Sequence, residues 1–280
     1  MTYYQEIQEE LIMDQREALN LRLFFFLSYL IFWALLAFTG VLIYLDVPTN
    51  IQVIMKNICA WSPTFALLIL FKKLFPDKNI RDFMKMSFAG KLNVRDFIVP
   101  LLIQIFALVF TISTYLLITM KPFHSLIFIN IGSILPIFLI NLTSGPMGEE
   151  LGWRGYALGV LRRKYSPLKA STILGLVWGF WHLPLWFLSG YSGIELLVYS
   201  IFFLIGIVST SILIDFFYNK HKNVLIAIWI HFLFNFLLQL IDIEFLTMII
   251  YMGVYFLIAL VLVTLNRENM LRKPGTTLQH

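Results

Sequence analysis

The sequence predicts an all-α fold, a polytopic integral membrane protein with about eight transmembrane helices around a cytoplasm-facing polar cavity. Three observations lead there. Of the 280 residues, 59% are hydrophobic and the mean hydropathy is +0.82, where soluble chains hold about 45 to 50% apolar residues. Apolar runs of about 20 residues, the length a helix needs to cross a bilayer, recur from one end of the chain to the other. Inside one of those runs stand Glu149, Glu150 and Arg154. A charge near the bilayer centre costs at least ~2.5 kcal/mol, so such groups face a protein interior or a wet cavity.

Taken in order, residues 1–22 form a polar segment with Glu6, Glu9, Glu10, Asp14, Arg16, Glu17 and Arg22. Tyr4, Ile7, Leu11 and Ile12 recur there at helical spacing, which predicts an amphipathic helix lying at the membrane surface. No small-residue cleavage site follows, so a secretory signal is not expected. A transmembrane domain is expected over 23–265, with spans at 23–45, 51–71, 97–119, within 126–161, and at 169–189, 194–217, 224–241 and 245–265. The fourth region is too long for one straight crossing, since roughly 36 residues would reach about 54 Å. Pro136, Gly145 and Pro146 offer places to break it. A break at membrane depth must face protein or water, which is a second sign of a cavity. A polar tail, 266–280, ends the chain, and neither an internal repeat nor a separate soluble domain is expected.

The net charge of +5 would suit nucleic acid or anionic lipid, but its distribution decides otherwise. Nineteen of the 21 Lys and Arg residues fall on one side of the alternating spans: two before residue 23, seven in 72–96, five in 154–169, Lys220 and Lys222, and three after residue 265. The other side has Lys121, and Lys56 lies within the second span. By the positive-inside rule both termini are expected in the cytoplasm, in a multi-pass protein of the cell membrane. The basic charge is thus a topology signal, and nucleic acid is not an expected partner. The single cysteine, Cys59, excludes an intramolecular disulfide and any Cys-based metal motif. His124 and His221 in loops, and His280 in the tail, read as solvated.

The remaining polar residues suggest chemistry. Glu150 and Arg154 stand at i and i+4 with the acid first, the favourable order for an ion pair, and Glu149 is rotated by about 100° toward another helix. Trp178 and His182 share one face of the fifth span, and His231 and Asn235 one face of the seventh. Glu149 and His182 lie equally far from the basic residues Arg162 and Lys169 that bracket the turn between their helices. A carboxylate and an imidazole sharing a water are the minimum apparatus for hydrolysis. Donors from a His and an Asn would stabilise an oxyanion, an effect worth about 2.7 to 4 kcal/mol per donor. Two His and a Glu could equally hold zinc, although no His-Glu-x-x-His is present. The bland reading makes the charges the wetted end of a span, and each His or Asn an interhelical hydrogen bonder worth roughly 1 kcal/mol. Buried acids and imidazoles also suit an ion-coupled transporter, against which stands the lack of an inverted repeat, or a non-catalytic immunity protein that has kept such a site.

Glu149-Glu150-x-x-x-Arg154, then Trp178-x-x-x-His182, then His231-x-x-x-Asn235, in that order, resemble the CAAX protease and bacteriocin-processing family of intramembrane endopeptidases, also called CPBP or Abi. The resemblance covers about 126–241. It implies that Glu149 activates water with His182, that His231 and Asn235 form the oxyanion site, and that Glu150 and Arg154 organise the region. Trp178 departs from the family, which usually has Phe there, and a larger ring would narrow the cavity or change which peptide fits. The family was long labelled metal-dependent, whereas its eukaryotic members look like glutamate-dependent enzymes. No metal or other cofactor is therefore the first expectation, with zinc as the alternative. The implied substrate is a membrane-associated or lipidated peptide or protein: eukaryotic members cut after a prenylated cysteine, and bacterial ones are associated with peptide maturation and bacteriocin immunity. Oligomeric state is left open.

Overall fold

Hydrocarbon offers no water to an unpaired peptide group, so a chain this apolar satisfies its backbone inside helices. The computed structural model describes residues 3–241 and 244–272, with side-chain surroundings from residue 15 onward. Helix α1, Tyr3–Tyr44, runs without a break through both the polar segment and the first span. It contains no proline, and Gly40 comes only near its end, so nothing turns the chain onto the membrane surface at residue 22. The segment expected to lie along that surface instead continues the axis of the first span. The side chains of Tyr4, Ile7, Leu11 and Ile12 lie outside the described residues.

The second span is built in pieces. Helix α2, Thr49–Cys59, stops at Ala60, α3, Ser62–Ile69, restarts with Pro63 in its first turn, and α4, Phe71–Leu74, follows after Leu70. Proline lacks an N–H and fits a first turn, where that donor has no intrahelical partner. Helix α5, Ile80–Ser87, is capped by the Asn79 side chain, and α6, Val94–Thr119, by a reciprocal box of Asn93 and Asp96. The fourth region comprises α7, Ile134–Thr143, then α8, Pro146–Gly152, a π-helical turn over Trp153–Ala157, and α9, Leu158–Lys164. The chain breaks at Ser144 and Gly145, while Pro136 falls in the first turn of α7 and breaks nothing.

Helices α10, Pro167–Trp181, and α11, Leu183–Phe187, part at His182, ahead of Pro184. Then follow α12, Gly193–His221, α13, Val224–Leu238, α14, Phe245–Leu265, and α15, Arg267–Leu271. The protein is an all-α, multi-pass membrane protein. Among the described residues five stretches are long and apolar enough to cross a bilayer: Gln15–Tyr44, Val94–Thr119, Ile131–Lys164, Gly193–His221 and Phe245–Leu265. The expected second, fifth and seventh spans are shorter or broken helices, so length and hydropathy alone do not yield eight. Of the tail, residues 273–280 lie outside the described residues, His280 among them.

Close backbone approach sets the framework. A Cβ at Gly175 of α10 would stand 2.8 Å from the Cα of Val208 on α12, so these helices touch main chain to main chain, as small residues allow in membranes. Helix α1 is tied to the end of α10 by Tyr29 Oη donating to the Val177 carbonyl at 2.5 Å and Trp33 Nε1 to that of Trp181 at 3.1 Å. His221, expected to be solvated, instead pairs with Asp96 at 2.8 Å and joins α12 to α6; His124 is exposed.

Candidate active site

The break before α8 is held by neighbours. Trp61 Nε1 donates to the Thr143 carbonyl at 2.9 Å and Asn57 Nδ2 to Thr143 Oγ1 at 2.7 Å, so the end of α7 finds partners on the second span. Gly148 packs against the Trp61 ring and Gly152 against Pro63, where a Cβ would come within 2.8 and 2.7 Å. This contact brings the first turn of α8, and Glu149 with it, against α3.

Glu149 and Glu150 are both buried and have different partners. Glu150 takes Arg154 Nη1 on both oxygens, at 2.7 and 2.9 Å, and His231 Nδ1 at 2.7 Å on Oε1. Arg154 also reaches Ser211 Oγ at 3.3 Å and lies over the Trp178 ring, 4.7 Å from its centroid. Glu149 Oε2 accepts from Trp178 Nε1 at 2.6 Å and from Trp153 Nε1 at 3.3 Å. Trp178 therefore does more than occupy space: its ring seats a guanidinium and its N–H holds a carboxylate, which a phenylalanine could not do.

The site converges beside Gly145. A Cβ built on that glycine would stand 3.4 Å from Glu149 Oε1, 3.4 Å from Asn235 Nδ2 and 3.6 Å from His231 Nε2. One small space is thus bordered by a carboxylate oxygen, an amide nitrogen and an imidazole nitrogen from α8 and α13. It is close to what a hydrogen-bonded oxygen atom needs, at 2.7 to 3.2 Å from each.

His182 stands apart from that point. Its Nδ1 pairs with the Trp178 carbonyl at 2.8 Å, and its ring lies among Trp181, Phe203 and Trp178, with centroids 4.6, 5.3 and 6.0 Å away. No direct hydrogen bond joins it to Glu149 among the described residues. The two meet instead as walls of one cavity of about 620 Å³, whose lining is otherwise mostly apolar. Buried Phe32, Cys59, Glu149 and Trp181 form its floor, and exposed Gly40, Ile43, Lys56 and Leu188 its rim. That rim lies where α1 ends and α2 begins, while the basic segments 72–96 and 162–169 lie at the other end of the helices. A cytoplasm-facing cavity and cytoplasmic termini were expected together. The cavity lies beside the last turns of α1, the end away from the start of that helix.

Among the described residues no three His, Cys, Asp or Glu side chains gather as a metal site. His231 Nδ1 and both oxygens of Glu150 are already engaged, and the third group beside Gly145 is an amide nitrogen, a donor that no metal accepts.

Sequence reasoning missed Trp153 and Gly145 as members of the site. Trp153 was legible, since it follows Glu149 at the same i, i+4 spacing by which Arg154 follows Glu150. Gly145 read only as a helix break.

Comparison with known proteins adds two findings. Residues 130–237 match the family model described as type II CAAX prenyl endopeptidase Rce1-like. A protein named CAAX prenyl protease 2, from Methanococcus maripaludis, is 35% identical over 145 residues, covering 50% of this chain. The match spans about half of that relative, 53% of its length.

Proposed function

We propose, for a chain that belongs through residues 130–237 to the CPBP family of CAAX protease-like membrane proteins, that it is an intramembrane peptidase hydrolysing peptide bonds of membrane-associated or lipidated substrates. The observation that carries this reading is the space beside Gly145, bordered by Glu149 Oε1, His231 Nε2 and Asn235 Nδ2. A water held there gives a proton to Glu149 as its oxygen attacks the scissile carbonyl. The carbonyl oxygen becomes an oxyanion and accepts from His231 and Asn235. Collapse of the tetrahedral adduct breaks the C–N bond, and Glu149 returns the proton to the leaving amine.

Supporting groups make this arrangement workable. The pairing of His231 Nδ1 with Glu150 turns Nε2 toward the space where the oxyanion forms. Glu150 is paired with Arg154, which avoids an unbalanced buried charge at that carboxylate. The two indole N–H groups hold Glu149 by Oε2 and leave Oε1 toward the water. His182 orients water or substrate from the facing wall of the cavity. The proposal uses no metal, and activity is expected to persist after exposure to a zinc chelator.

The test is Glu149→Gln in purified, folded protein, read by cleavage of a fluorogenic farnesylated peptide in lipid nanodiscs. Loss of a general base lowers turnover by about 10² to 10⁴. Turnover close to wild type would overturn the assignment. Glu149-dependent proton flux in liposomes without cleavage would favour a transporter.

A further inference from the structure

We propose that Asn141 and Gln239 are positioning residues for hydrolysis: their amide pair fixes the width of the gap at Gly145 in which Asn235 meets the reacting oxygen. The claim rests on the peptidase reading. It adds to the site two residues that act through Asn235 and Gly145.

Two polar rows face each other across the site. On α13, His231, Asn235 and the C-cap residue Gln239 recur every fourth position, about 6 Å of rise apart, so they share one face. Opposite them stand Glu150, Gly145 and Asn141, running the other way along the chain, so the rows meet rung by rung. His231 Nδ1 and Glu150 close the first rung at 2.7 Å. The last is closed twice, by Asn141 Nδ2 donating to Gln239 Oε1 at 3.1 Å and Gln239 Nε2 donating to Asn141 Oδ1 at 3.0 Å. The middle rung is open. Gly145 offers no side chain, and among the described residues none hydrogen-bonds the Asn235 amide, whose nitrogen lies 3.4 Å from the place of a Gly145 Cβ.

The local backbone explains why the last rung is needed. The helix is interrupted after Thr143 and resumes at Pro146, with Gly145 in extended backbone between, so the helical ladder does not carry position from α7 to Gly145. Side chains do so from both flanks. Asn57 and Trp61 hold Thr143 from the second span, and Asn141, one turn before Gly145, holds α13. Asn141 is buried, and its Nδ2 also donates to the Ile137 carbonyl at 2.8 Å, so both of its N–H groups are used and its amide is fixed in orientation. Phe138 packs α7 on the same helix, 4.7 Å from the Phe232 ring centroid and 5.8 Å from that of Phe236. Apolar burial is non-directional and tolerates sliding, whereas two opposed hydrogen bonds fix register. Register matters here, since a displacement of about 1 Å costs a catalytic site about 100-fold.

The test reads kcat and KM separately on the farnesylated peptide, beside thermal unfolding. Gln239→Met keeps the length and removes the amide, and Asn141→Leu does so from the other side. Gln239→Asn, one methylene shorter, breaks the rung without an apolar replacement. Each is expected to lower kcat about 10- to 100-fold with KM changed less than about threefold. Asn141→Gln combined with Gln239→Asn exchanges the two side chains, remakes the pair and should recover kcat to within about fivefold of wild type. Because the pair acts through Asn235, Asn235→Ala should cost at least about tenfold less in the Gln239→Met background than alone. A pair that merely holds helices together would lower the unfolding temperature and leave kcat of the folded protein unchanged. Single variants with kcat within about threefold of wild type, an exchange that restores unfolding temperature but not kcat, or equal losses from Asn235→Ala in both backgrounds would each overturn the inference. The peptidase reading fails separately, by full turnover in Glu149→Gln.

Discussion

The buried Glu150–Arg154 pair has a measurable consequence that needs no substrate. Both side chains are 0% exposed, and the Nη1 to oxygen distances of 2.7 and 2.9 Å put the charge centres about 4 Å apart, where attraction is about 4 kcal/mol at an effective dielectric constant of 20. The same i, i+4 pair on an exposed helix would contribute only about 0.3 to 0.5 kcal/mol. Glu150→Gln keeps the size and removes the charge, leaving Arg154 with Ser211 Oγ at 3.3 Å and the Trp178 face. Its Nε already has no hydrogen-bond partner among the described residues. An uncompensated buried charge of this kind costs about 3 to 5 kcal/mol, and at about 2 to 4 °C per kcal/mol the unfolding temperature should fall by roughly 10 °C. Arg154→Met should cost a similar amount by stranding Glu150 and His231. The double variant removes both charges and should be more stable than the sum of the single losses, with a coupling of about 1 to 3 kcal/mol. The assay is thermal unfolding of the four proteins in one detergent, followed by tryptophan fluorescence. Single losses below about 1 kcal/mol, or strict additivity in the double variant, would refute the reasoning, because a pair that stabilises nothing is not desolvated.

Three further outcomes are expected. Trp178→Phe keeps an aromatic face for Arg154 and removes the 2.6 Å donor to Glu149; loss of one charge-assisted bond of about 1.5 kcal/mol or more should lower turnover about tenfold, against a smaller change in unfolding temperature than Glu150→Gln gives. Gly152→Ala puts a Cβ 2.7 Å from Pro63 and should destabilise by about 1 to 3 kcal/mol in the same melts, whereas Gly159→Ala, with nothing within 4 Å, should be neutral or stabilise by up to about 1 kcal/mol. The Lys121 ammonium donates to Glu244 at 2.9 Å and holds that carboxyl below its ordinary range, so this contribution is present above the unfolded carboxylate's pKa and is lost as pH falls through the lower, folded one. The pair is exposed, so the acid-side loss should be small, and it should vanish in Lys121→Met or high salt when melts are repeated across pH.

Much of this protein was readable before any coordinates. Continuous apolar runs of about 20 residues select helices, in which every backbone group finds its partner within its own segment, and the spacing of Glu150 and Arg154 pairs them about one turn apart. The break at Gly145 and Pro146 is equally local. The number of crossing helices is not so simple, since Pro63 and Pro184 split spans whose composition reads as continuous.

The tertiary structure decided what each polar atom faces. Glu149 meets Trp178 across 29 residues of chain, His231 meets Glu150 across 81, and His221 meets Asp96 across 125. Such partners depend on how helices lean and rotate against one another. That is set by contacts between distant residues, such as Gly175 against Val208 and Gly148 against Trp61, which no local period encodes. The direction of the cavity has the same origin. Only packing determines at which end of the bundle the helices part, because that depends on contacts between residues far apart in the chain.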